Sequence, residues 1–177
     1  MNPAVESVLC SIVASIICDI GKYGLGQLKY RKVNFEKKDV EKYVFEKIDK
    51  KYELLCDSGI LLDFLKSPLI IDTVNNYIIY VITGKLEVKL SNNGINKKGK
   101  SKYLEESEII DFLSDNLQKR YIDANVLTIP EKQLIESFFS EMFSLSSNYI
   151  FEQLGHEEAA MIYFVNNKMN LLGNGVI

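Results

Sequence analysis

Four scarcities narrow what this chain of 177 residues can be before any motif is considered: one histidine, three cysteines, three prolines and no long unbroken apolar run. With His156 the sole imidazole, a Cys/His zinc site lacks ligands, and a serine, cysteine or threonine nucleophile lacks the usual base. The cysteines Cys10, Cys18 and Cys56 are odd in number and share no CxxC spacing, so they read as buried thiols in a reducing, cytoplasmic setting. Val8 to Ile20 is the most apolar stretch. It is interrupted by Ser11, Ser15 and Asp19 and falls short of the about 20 residues a spanning helix needs. Only Glu6 is charged ahead of it, which argues against a secretory signal. A membrane is therefore not expected, although a surface-lying amphipathic helix remains an alternative. The shortage of positive charge, with net charge −3 and pI 5.3, speaks against sequence-specific nucleic-acid binding.

What is present is an ordinary globular composition, 47% apolar and 25% charged. A chain of this length fits one domain, 1–177, that buries roughly 70% of its unfolded surface. Charge is unevenly spread. Lys22 to Lys51 holds ten basic against five acidic residues, whereas Pro130 to Ile177 holds two against six. Residues Lys29, Arg31, Lys32, Lys37, Lys38 and Lys42 are thus candidates for a basic interaction face, and Val8, Ile12 and Ile16 for an apolar one.

The periodicity predicts an all-α, compact multi-helix domain of six to seven helices. A first helix runs from near Ala4 to Lys22 and stops at Gly21, Gly24 and Gly26. Val40, Tyr43, Val44, Ile48, Tyr52 and Leu55 recur at helical spacing, which predicts one amphipathic helix over 39–55. A short helix over 60–66 follows, and Ser67-Pro68 then supplies a cap and a first-turn proline. Between Tyr77 and Leu90 both periods fit. A helix to about Ile82 is preferred, and a short β-hairpin turning at Gly84-Lys85 stays open. Residues 91–102 form an exposed basic loop, and a helix with an acidic start and a basic end spans 104–120. Thr128-Ile129-Pro130-Glu131 has capping-box spacing, so a long helix is expected from there along Ile135, Phe138, Met142, Leu145 and Tyr149. A last helix is expected over 156–169.

One segment matches a chemical motif letter for letter. Gly94 to Ser101 reads G-x-x-x-x-G-K-S, in which Gly94 and Gly99 would free backbone N–H groups for phosphates, Lys100 would neutralise them and Ser101 would bind magnesium. The context opposes it, because Ser91-Asn92-Asn93 precede the first glycine where a buried strand belongs, and no parallel sheet is in view. Chance in a Gly/Lys/Asn-rich loop is the better account, and a small nucleotide-binding enzyme is the alternative. His156-Glu157 opens like a zincin helix, but Ala160 stands where the second histidine is needed. The pairs Glu105/Glu106 and Glu157/Glu158 are ordinary helix-start carboxylates. No catalytic residue, metal site or cofactor is expected.

The order of features resembles the all-helical N-terminal domains of large bacterial NACHT/STAND-type NTPases of antiphage defence. An apolar opening helix runs into Gly21-Lys22-Tyr23-Gly24, and an amphipathic Lys/Glu helix follows. Phe64-Leu65-Lys66-Ser67-Pro68-Leu69 then leads through Asn76-Tyr77-Ile78 to Thr83-Gly84. The resemblance implies a non-catalytic module that assembles an oligomer or couples to an effector protein. The chain departs from the pattern in carrying no ATPase core before Ile177, so it reads either as an excised segment or as a stand-alone relative. The phosphate-loop alternative has a direct check. If it holds, saturating MgATP raises the melting temperature and Lys100→Ala abolishes the rise; an unchanged melting temperature in the parent chain removes the reading.

Overall fold

A 22-residue helix that is apolar on more than one side must be packed on more than one side, and the structure is arranged around it. This is α6 (Lys132–Gln153), whose buried set includes Ile135, Phe138, Phe139, Met142, Phe143 and Ile150. The computed structural model describes residues 3–21, 35–56, 59–92 and 105–153. Among them, α1 (Pro3–Asp19), α2 (Lys37–Lys47), α4 (Pro68–Asn92), α5 (Glu106–Asp123) and a 3₁₀ segment (Lys50–Cys56) all pack on α6. The short α3 (Ile60–Leu65) lies against α4, α5 and the 3₁₀ segment. The architecture is all-α, and no strand occurs among the described residues.

Aromatic rings carry the contacts outward from α6. Phe138 meets Tyr52 of the 3₁₀ segment edge-on at 5.5 Å, Phe139 meets Phe64 of α3 at 6.2 Å, and Phe143 meets Tyr77 of α4 at 4.9 Å. These spacings are those at which ring quadrupoles attract. Nearer the end of α6, Tyr149 contacts both Tyr43 of α2 and Phe35 just ahead of it. Phe35 in turn lies against Gly21, where α1 widens into a π turn; a Cβ at Gly21 would overlap the Phe35 ring. The glycine therefore ends α1 and also admits an aromatic ring against the backbone.

Three local expectations need correction. The pattern over 39–55 is not one helix. The chain stops being helical at Ile48, which is extended at φ −73° and ψ 139°, and resumes as the 3₁₀ segment. The break is held by Asp49: its N–H donates to Glu141 Oε1 of α6 at 2.9 Å, while its own Oδ1 accepts from the Lys51 N–H at 2.9 Å. Secondly, the long helix starts at Lys132, not at Thr128. Thr128 is exposed, the Glu131 carbonyl accepts the first helical bonds, and the Pro130 carbonyl accepts from Gln118 Nε2 of α5. Lys132 then clamps the α5–α6 hairpin by bridging Asp111 and Asp115. Thirdly, the helix preferred to about Ile82 runs on as α4 to Asn92, which excludes the alternative hairpin over 77–90. Ile70, Val74, Tyr77, Ile78 and Ile82 are buried at helical spacing, so packing overrides the strand propensity of the β-branched residues. The helix expected over 156–169 lies outside the described residues.

One buried polar bond ties distant segments together: the Tyr121 hydroxyl of α5 donates to the Leu55 carbonyl at 2.6 Å. Tyr121→Phe leaves that carbonyl buried without this donor, and should cost about 1–3 kcal/mol in urea unfolding with the slope of the transition unchanged. A loss within error would show that the carbonyl finds another donor.

Candidate functional site

The sequence-derived site residues divide three ways. Gly94, Gly99, Lys100 and Ser101 of the phosphate-loop match lie outside the described residues, as do Lys29, Arg31, Lys32 and His156. Lys37, Lys38 and Lys42 are exposed on α2, but the helix they occupy is nearly balanced, with four lysines and three acids. Lys37 pairs with Glu41 at 3.8 Å. Neighbouring ammonium groups are also engaged, Lys47 over the Tyr43 ring and Lys50 between the Phe45 ring and Glu6, 3.0 Å from its Oε1. Within the described residues the basic face is thus weaker than a count of lysines suggests.

The apolar residues chosen on α1 share one side but not one environment. Val8 is 44% exposed, Ile16 is half-buried and Ile12 is in the core. Ile12 and Ile16 border a pocket of about 130 Å³ where α1 faces α3 and α4. Its polar members are Ser15, Asp19, Lys66 and Asn75, none of which the sequence singles out. Their only signal was position: Ser15 and Asp19 lie four residues apart and follow Ile12 on α1.

A second concavity, shallow and of about 650 Å³, lies over α5, α6 and the 3₁₀ segment. Ser137, Ser140 and Ser144 line it at helical spacing on α6, with Lys51, Glu136 and Glu141 beside them. One of its carboxylates is already engaged in the fold. Glu141 holds the Asp49 N–H and the Tyr52 hydroxyl. Tyr52, almost wholly buried, has its pKa pushed well up, first by burial and then by donating to Glu141, so it holds its proton tightly. No histidine among the described residues can activate a serine.

Elsewhere the perturbed groups also serve packing. Burial, then the nearby Glu106 carboxylate, raises Tyr77; burial also raises Tyr43 and Tyr149. The Cys10 thiol is pushed up by burial and then by Glu6, the opposite of what a reactive thiolate needs. Cys10, Cys18 and Cys56 are not joined in disulfides. Among the described residues, no group of three His, Cys, Asp or Glu side chains is placed to hold a metal ion, and no helix is long and apolar enough to cross a membrane. Comparison of the chain with protein-family models, curated proteins and solved structures finds no match.

The buried tyrosines give the fold a defined alkaline limit. Their folded pKa values lie above the ordinary value of 10.0, so the stability they contribute is complete below about pH 10 and is lost as pH rises beyond it. Tyrosinate absorbance from these rings should appear together with loss of the helical circular dichroism signal. Tyr52→Phe should make the alkaline transition shallower, and an unchanged slope would remove Tyr52 from the account.

Proposed function

We propose that the chain is a non-catalytic helical interaction module that binds a protein partner or another copy of itself, in the cytoplasm of a bacterium and in antiviral defence. The observation that carries this is the end of α5 and its connection to α6. Ile122 and Ile129 are 51% and 43% exposed, and Leu127 between them is fully exposed. Connections of this kind are normally polar, and three large aliphatic side chains within eight residues leave a patch that a partner would desolvate favourably, at about 25 cal/mol per Å². Phe112 on the outer face of α5 and Phe45 on that of α2 are exposed as well. Glu141 of the serine-lined trough is engaged in holding the Asp49 N–H and the Tyr52 hydroxyl, which supports a binding role over a catalytic one. The defence context rests on the resemblance to the NACHT/STAND N-terminal domains alone.

Sedimentation velocity over a wide concentration range tests the self-association form of the proposal. The expected result is a mass that rises with concentration and falls back to monomer in the Leu127→Ser/Ile129→Ser double variant, with helical content unchanged. A monomer at every concentration, or association untouched by the double variant, would overturn this patch as a self-association surface.

A further inference from the structure

The pocket between α1, α3 and α4 differs from an ordinary packing defect in size. Protein interiors keep few voids larger than a water molecule, and this one measures about 130 Å³. Its three helices are each held by other partners: α1 by α2 and α6, α4 by α6, and α3 by α5 and the 3₁₀ segment. Closing the gap would draw them off those partners. Left unfilled, the gap forfeits the dispersion contacts that its walls would make with an occupant.

The lining narrows what that occupant is. Six of the ten lining residues are aliphatic: Ile12, Leu65 and Val74 are buried, and Ile16, Leu62 and Ile71 are half-buried. Aliphatic walls give a water molecule none of the two to four polar partners it needs. A charged ligand is disfavoured as well. Asp19 already has a partner in the chain, Lys66 is exposed to water, and Ser15 and Asn75 are uncharged. A charge taken inside would lose its hydration with no opposite charge held ready in exchange. Volume sets the size: an apolar cavity of roughly 150 Å³ takes up benzene, so the space suits a hydrocarbon body of about five to seven carbons.

We propose that this pocket is a binding site for an uncharged, compact apolar molecule, a branched or monocyclic hydrocarbon body of that size lying among Ile12, Leu65 and Val74. The ligand is held by shape and desolvation and undergoes no reaction. The site is separate from the Leu127 patch, and each has its own readout: pocket methyl resonances for the ligand, sedimentation for self-association.

Titration of the isotope-labelled full chain with benzene, followed through its methyl resonances, tests the site. Benzene should shift the Ile12, Leu65 and Val74 methyls saturably while leaving those of Leu127 and Ile129 unmoved. Benzylammonium and benzoate, the same ring carrying a charge, should bind at least about tenfold more weakly, because the charge gives up hydration. Ile16→Phe on α1 and Ile71→Phe on α4 each place a ring in the space and should abolish the benzene response. Val74→Ala acts in the other direction and carries the test if neither of those variants folds: it widens the space and should raise the affinity for toluene relative to benzene. The proposal would be overturned by the lack of any saturable shift up to the solubility of benzene, or by equal shifts at Leu127 and Ile129. Charged rings that bind as tightly as benzene, or a response that survives both phenylalanine variants, would overturn it too.

Discussion

The burial of α6 is the constraint on which the other elements depend. Phe138, Phe139 and Phe143 are wholly or almost wholly buried and point toward different neighbours: the 3₁₀ segment, α3 and α4. A helix with large rings facing several directions cannot be satisfied by a single partner, because each exposed ring would leave a large apolar area in water. Surrounding elements must therefore arrive from several parts of the chain. Long-range polar bonds fix where they stop: Asp49 on Glu141, Tyr121 on the Leu55 carbonyl, Lys132 between Asp111 and Asp115.

This explains which parts of the fold were legible in the sequence. Apolar stripes survive in the structure almost residue for residue: Val40, Val44, Ile48, Tyr52 and Leu55 are all buried, as are Ile135, Phe138, Met142, Leu145 and Tyr149. The continuity of the backbone beneath a stripe is a different matter. Over 39–55 the pattern stays in phase across a real break, because a 3₁₀ segment set off by one extended residue returns its side chains to the same face. The break is bonded to Glu141, some ninety residues away, which no local pattern can report. Thr128 shows the same limit. Its capping spacing is genuine, but Pro130 is engaged by Gln118 and the helix waits until Lys132. Over 77–90, strand and helix propensities were nearly level, and the decision came from the α6 surface that Tyr77 packs on.

Candidate surfaces were less legible than the core, and for a physical reason. A charge count along the chain treats every lysine alike, whereas on α2 the lysines alternate with carboxylates, Lys47 sits over the Tyr43 ring, and Lys50 of the 3₁₀ segment sits over Phe45. Counting apolar residues on α1 likewise merges Ile12, which belongs to the core, with Val8, which faces solvent. Function at a surface depends on what neighbouring elements leave uncovered, and that is a property of the assembled fold.

The pocket beside α1 follows from the same geometry. α1 and α4 both pack on α6, and α6 is thick with phenylalanine where they do so. The six-residue α3, which ends at Leu65 and passes directly into the turn before Pro68, contributes only Leu62, Leu65 and Lys66 to the space between them. Filling that space with protein would need a longer α3 or larger side chains at Ile16 and Ile71. Smaller aliphatics stand there instead, so the void arises from how three helices of unequal length meet.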